Sequence, residues 1–139
     1  MSTKLQQVEH IGLAVKDLEQ AIQTWTLLLN APPYQRESVE SEQVETVFFK
    51  TGQTKIELLG ATAPTSPIAK FLEKRGEGIH HIAFAVEDIK KEMERLQSCG
   101  FRILNETPKV GADNKLICFL HPADMHGVLV ELCQERTPD

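Results

Sequence analysis

Val8-Glu9-His10-Ile11-Gly12-Leu13-Ala14-Val15 and Ile79-His80-His81-Ile82-Ala83-Phe84-Ala85-Val86 are two versions of one segment. Each places a histidine at the same position, and each is followed by an Asp, Asp17 or Asp88, and an amphipathic run. A second matched pair follows further on: Ile56-Glu57-Leu58-Leu59 after the first segment and Val130-Glu131-Leu132-Cys133 after the second. The interval is 47 positions from His10 to Glu57 and 50 from His81 to Glu131. Two matches in the same order at nearly the same interval mark an internally duplicated chain. The duplication supplies two His and two Glu, residue types that together suggest a metal site.

Periodicity decides where those side chains point. In residues 8 to 15, Ile11, Leu13 and Val15 alternate with His10, Gly12 and Ala14, the two-residue period of a strand with one strongly apolar face. Asp17 then caps a helix, with Gln20 completing a capping box. Leu18, Ala21, Ile22, Trp25, Leu28 and Leu29 form its apolar stripe before Asn30-Ala31-Pro32-Pro33 stops it. Strands are predicted over 34–40, 43–50 and 54–59, with a turn at Thr51-Gly52-Gln53. The order recurs: a strand over 79–86, a helix opening at Asp88 with Ile89, Met93 and Leu96 inward and ending at Gly100, then strands near 101–104, 115–121 and 127–134. Between the halves, Ser66-Pro67 opens a short linking helix that Gly76 closes, with Lys70, Glu73, Lys74 and Arg75 as a solvated face. The organisation expected is one domain over 1–139, with a first βαβββ module over 8–60, a linker over 61–78 and a second module over 79–134.

If Ile11, Leu13 and Val15 pack beneath their helix, His10 faces the other way. Glu57 lies between Ile56 and Leu58, Glu131 between Val130 and Leu132, and His81 opposes Ile82, Phe84 and Val86. All four are therefore expected on a face without a helix, the floor of a cleft. Imidazole and carboxylate suit one divalent ion such as Co, Zn, Mn, Ni or Fe, and the lack of paired thiolates argues against a closed structural zinc site. Such a set leaves open positions for a ligand. His80 points away and reads as structural; His121 and His126 lie around the turn Pro122-Ala123-Asp124-Met125 and are left outside the site, and Cys133 reads as a small buried residue beside Glu131.

Composition narrows the classes. A hydrophobic fraction of 41%, a charged fraction of 25% and a net charge of −5 describe an ordinary globular protein without the basic face that nucleic acid requires. Any anionic ligand must be held locally. Lys70, Lys74, Lys109 and Lys115 are scattered and carry no assignment. The N-terminal Met1 to Gln7 lacks the apolar centre of a secretory signal, and no apolar run is long enough to span a bilayer. Cys99, Cys118 and Cys133, odd in number and without CxxC spacing, read as reduced thiols, so the cytoplasm is the expected location.

The paired His-Ile-x-x-Ala-Val-x-Asp modules, with Lys55-Ile56-Glu57-Leu58-Leu59 and Gly127-Val128-Leu129-Val130-Glu131-Leu132, resemble the vicinal-oxygen-chelate superfamily, which includes glyoxalase I, extradiol dioxygenases and drug-resistance proteins. Residues 66–83, from Ser66-Pro67-Ile68-Ala69-Lys70 to Gly78-Ile79-His80-His81-Ile82-Ala83, and Phe119-Leu120-His121-Pro122 are similar to methylmalonyl-CoA epimerases within it. The resemblance implies an α+β, glyoxalase-like fold in which two βαβββ modules form an open, cupped, eight-stranded mixed sheet. It also implies a single divalent ion on His10, Glu57, His81 and Glu131, an acyl-CoA substrate, and a homodimer. The implied reaction exchanges the C2 proton of (2R)- and (2S)-methylmalonyl-CoA through an enolate, with Glu45 and Glu131 as acid–base groups. Glu45 is expected to be made more basic by desolvation beside Val47 and Phe49. The alternatives are a glyoxalase I-type lyase acting on a glutathione hemithioacetal and a non-catalytic drug-binding protein of the same fold. The segments Thr24 to Pro33 and Leu59-Gly60-Ala61 depart from the pattern of relatives.

Overall fold

The computed structural model describes residues 4–136; residues 1–3 and 137–139, which the expected domain and the N-terminal reading include, lie outside them. The elements are β1 Gln7–Ala14, α1 Leu18–Leu29, β2 Gln35–Val39, β3 Val44–Thr51, β4 Thr54–Ala61, α2 Pro67–Arg75, β5 Gly78–Ala85, α3 Ile89–Ser98, β6 Lys109–Val110, β7 Lys115–Phe119 and β8 Val130–Glu135. Two compact units divide the chain, one of His10–His80 and one of Met1–Glu9 with His81–Asp139.

In the His10–His80 unit, β1 runs parallel to β4, β4 antiparallel to β3, and β3 antiparallel to β2. The two-residue turn Gly52-Gln53 pairs Thr51 with Thr54, and Gly52 takes the left-handed φ of +65° that such a turn needs. Asp17 accepts a hydrogen bond from the Gln20 backbone N–H, and Asn30, itself left-handed, closes α1. Leu18, Ala21, Ile22, Trp25 and Leu29 then pack on Val15, Val47, Phe49, Ile56 and Leu58. Leu28, expected in that stripe, is instead 68% exposed. At 100° per residue it stands about 80° round from Leu18, at the edge of the apolar arc.

The second unit repeats the plan: β5 is parallel to β8, and β8, β7 and β6 follow antiparallel. Asp88 caps α3, whose Ile89, Met93 and Leu96 pack on Val86, Cys118, Leu120, Val130 and Leu132. The strand expected near 101–104 is reduced to one bridge, Ile103 with Leu120. Side chains take over there: Asp124 accepts from the Arg102 backbone N–H, and Asn105 Oδ1 from the Phe119 N–H. Backbone groups satisfied by neighbouring side chains have no need of a ladder.

The linking helix α2 begins at Ser66, whose buried hydroxyl accepts from the Ile68 N–H, with Pro67 in the first turn. Lys70, Glu73, Lys74 and Arg75 are exposed, as expected. Its apolar side, Ile68, Phe71 and Leu72, covers Ala14, Val44 and Leu59. These are the strand positions that continue the His10 and Glu57 face, so that face is not bare of helix in this unit: α2 walls off one end of it.

Candidate metal centre

Strand register brings each histidine to its glutamate. In the first unit, His10 Nε2 lies 3.4 Å from Glu57 Oε1; in the second, His81 Nε2 lies 3.2 Å from Glu131 Oε1. All four residues are at most 5% exposed. Ile11, Leu13, Ile56 and Leu58 occupy the alternate positions under α1, and Phe84, Val130 and Leu132 those under α3. The four residues therefore lie on the strand faces that the alternation predicts, within their own units.

A third member of each couple escaped the sequence reading. Phe48 stands directly opposite Glu57 across β3 and β4, and Phe119 directly opposite Glu131 across β7 and β8. The Phe48 ring meets His10 edge-on, centroids 6.3 Å apart at 90°; Phe119 meets His81 in the same way, 6.2 Å apart at 86°. The edge contact holds each imidazole at a set tilt and displaces water from its flank. Counting back from Glu57 through the two-residue turn reaches Phe48, so the first of these was open to the sequence. The second depends on a longer connection whose register no local signal sets.

Glu45 differs from expectation. Opposed residues on antiparallel strands share a face, and Glu57 opposes Phe48, so Thr46 and Phe48 belong to the His10 face and Glu45, Val47 and Phe49 to the face under α1. There Arg36 grips Glu45 with two bonds, Nε to Oε2 at 2.8 Å and a terminal nitrogen to Oε1 at 3.1 Å, and also pairs with Glu19 of α1. The Arg36 guanidinium holds the Glu45 carboxyl below the usual range, outweighing the opposing effect of burial. Glu45 is therefore a weaker base than an ordinary glutamate, the reverse of the expected effect, and the fork of Arg36 is the reason.

The other histidines make separate local contacts. His80 packs edge-on against Phe71 of α2 at 5.0 Å. His121 Nδ1 accepts from the Ala123 N–H, and His126 ends the following turn in a left-handed conformation. Cys133 is buried with Ala83 and Ile117 on the Glu131 side, whereas Cys118 lies under α3, its thiol pushed up to about 12 mainly by burial, with the Glu131 charge adding to the shift.

Neutral imidazole nitrogens and carboxylate oxygens in buried couples are a donor chemistry that fits a borderline divalent ion. Burying a carboxylate is costly unless positive charge lies near it. Each couple has one nitrogen and one carboxylate oxygen pointing together, as ligands of a common cation do.

Comparison with known proteins identifies the family. The profile of the Glyoxalase/Bleomycin resistance protein/Dioxygenase superfamily matches residues 9–119. The ethylmalonyl-CoA/methylmalonyl-CoA epimerase of Cereibacter sphaeroides is 43% identical over 129 residues, 91% of this chain and 96% of that protein. Methylmalonyl-CoA epimerase from Mycobacterium tuberculosis superposes with a TM-score of 0.93 at 33% identity, covering 99% of this chain and 93% of that one. A variant of the Streptomyces coelicolor methylmalonyl-CoA epimerase, in complex with 2-nitronate-propionyl-CoA, gives 0.90 at 31% identity over 96% and 100% of the two chains. The α+β, eight-stranded mixed sheet expected from the sequence is the fold class found. The chain belongs to the glyoxalase/bleomycin resistance/dioxygenase superfamily and, within it, to the methylmalonyl-CoA epimerase family.

Proposed function

We propose that this protein is a divalent-metal-dependent epimerase that interconverts (2R)- and (2S)-methylmalonyl-CoA by proton exchange at C2, with His10, Glu57, His81 and Glu131 as the ligands of one ion. The observation that carries the proposal is the repetition of a buried His–Glu–Phe group, once per unit, at closely matched distances. The likeness to epimerases over nearly the whole chain sets the substrate.

The C2 proton lies between a thioester and a carboxylate, and its removal leaves negative charge on the thioester oxygen. A divalent ion held by His10, Glu57, His81 and Glu131 would supply Lewis-acid stabilisation of that charge. The chain's own residues orient and desolvate. Phe48 and Phe119 fix the imidazoles, and α2 closes one end of the His10 face to water. Inversion needs proton exchange at both faces of the planar C2: Glu131, buried beside His81, carries the proton at one face, and solvent water exchanges it at the other. Glu45, on the other face of its strand and held by Arg36, takes no part in proton transfer.

A cytoplasmic homodimer belongs to the same proposal. Among the described residues no helix is long and apolar enough to cross a membrane. Leu27 and Leu28, 82% and 68% exposed side by side at the end of α1, offer an apolar surface of the kind that pairs subunits.

The test is hydrogen exchange. Protein loaded separately with Co, Zn, Mn, Ni or Fe(II) is incubated with methylmalonyl-CoA in deuterated water, and C2 is followed by NMR. Deuterium enters C2 while the thioester stays intact. Absence of exchange with every ion, or turnover of a glutathione hemithioacetal in its place, would refute the proposal.

A further inference from the structure

The face that carries His81 and Glu131 in the second unit also carries two lysines that the sequence left unassigned. In β7 the residues opposite Glu131, Cys133 and Glu135 of β8 are Phe119, Ile117 and Lys115. Opposed residues share a face, and the packing agrees: Ile117, Phe119 and Cys133 cluster with Ala83, while Cys118 and Leu132 lie under α3. On the other side of β7, Lys109 of β6 opposes Ile117, and its Nζ lies 6.0 Å from the centre of the Phe119 ring. Lys109 and Lys115 are thus diagonal neighbours across β6 and β7, a geometry that separates Cβ atoms by about 7–8 Å.

Two features show that this pair is built into the fold. The Lys115 side chain is only 10% exposed, and the partner carboxylate seen on it, Glu135 at 3.6 Å, is 87% exposed. A buried ammonium is costly unless anionic groups meet it. The β6–β7 connection is also tightly made: a Cβ on Gly111 would come within 2.6 Å of the Ile117 side chain, its N–H donates to the Lys115 carbonyl, and Asp113 and Asn114 are both left-handed.

We propose that Lys109 and Lys115 form an anion subsite for the phosphates of the coenzyme A moiety. The inference rests on the acyl-CoA reading above and extends it. Distance sets Lys115 apart from the acyl carboxylate, while Lys109, over Phe119, stands nearer to the thioester end of the arm. Phe119 marks the level of Glu131, and Lys115 lies four residues further along β7, about 13 Å away at the strand rise. The carboxylate on C2 stays next to the thioester, whereas the long pantetheine arm carries the phosphates far from it. In a protein of net charge −5, such a ligand needs cations placed locally.

The experiment uses full-length protein carrying Lys115→Met, Lys109→Gln or the charge-conserving Lys115→Arg. Calorimetric titration with coenzyme A should show affinity falling about tenfold in the first two and retained in Lys115→Arg, as expected for loss of a charge-assisted bond. The ratio of kcat/KM for methylmalonyl-CoA to that for methylmalonyl-pantetheine, which lacks the phosphates, should fall by a similar factor. Unchanged coenzyme A affinity in the variants, or equal losses on both thioesters, overturns the subsite. Wild-type protein that exchanges neither thioester, yet binds coenzyme A in a Lys115-dependent way, overturns the epimerase reading and leaves the subsite standing. If Lys115→Met does not fold, Lys109→Gln and the salt dependence of binding decide, since a phosphate contact weakens as salt rises.

Discussion

Phe48 and Phe119 show how much of this site is carried by residues that bind nothing themselves. Each stands opposite a glutamate and edge-on to a histidine, so truncation should loosen the ligands without removing one. Phe119→Ala should weaken metal binding about tenfold, measured by competition with a chromogenic chelator, whereas Glu131→Gln should lower C2 exchange by at least about a hundredfold. Glu45→Gln should leave exchange within about threefold, because its carboxylate faces α1; a hundredfold loss would restore the catalytic role expected from the sequence. The Arg36–Glu45 pair has instead a small stability role with a defined pH dependence. Arg36 lowers the folded-state pKa of Glu45, so its contribution is present above the unfolded-state value and disappears as pH falls through the folded one. Both partners are partly exposed and screened by solvent. Arg36→Ala should therefore cost about 0.5–1 kcal/mol at neutral pH and almost nothing in acid, as read by urea unfolding at the two pH values.

At the scale of elements, capping and periodicity acted where the sequence said they would. Asp17, Ser66 and Asp88 each cap a helix with the side-chain bond that their position implied. Ser66 is completely buried, so Ser66→Ala should cost about 1 kcal/mol and loosen the helix that walls the His10 face; thermal unfolding measures the first and hydrogen exchange across Pro67–Arg75 the second. Leu58, fully buried between β4 and α1, should cost about 2–5 kcal/mol when replaced by Ala. Failures occurred where an element lacked a period long enough to read. Residues 101–104 are too few to reveal alternation, and the polar side chains of Asn105 and Asp124 satisfy backbone groups that a strand would have paired. Leu28 failed for a different reason, because a residue at the margin of a helical arc is assigned by the width of the surface that receives it.

For the whole molecule, an ion bound as proposed would favour the folded state, so metal content and stability should move together. Adding Co2+ or Zn2+ to metal-stripped protein should raise Tm by several degrees, and His10→Ala should abolish the rise; scanning calorimetry checks both. The duplication, the strand faces of His10, Glu57, His81 and Glu131 and the order of elements were legible in the chain, because each depends on matched spacing or on a period of two or 3.6 residues. The tertiary structure decided the rest. Phe119 beside His81, Glu45 turned under α1 into the grip of Arg36, α2 folded over Ala14 and Leu59, and Lys115 on the strand face of Glu131 all depend on register between distant strands or on which surface a connecting helix covers. Local alternation sorts the residues of one strand into two faces, but only pairing with a neighbour determines which other groups share that face.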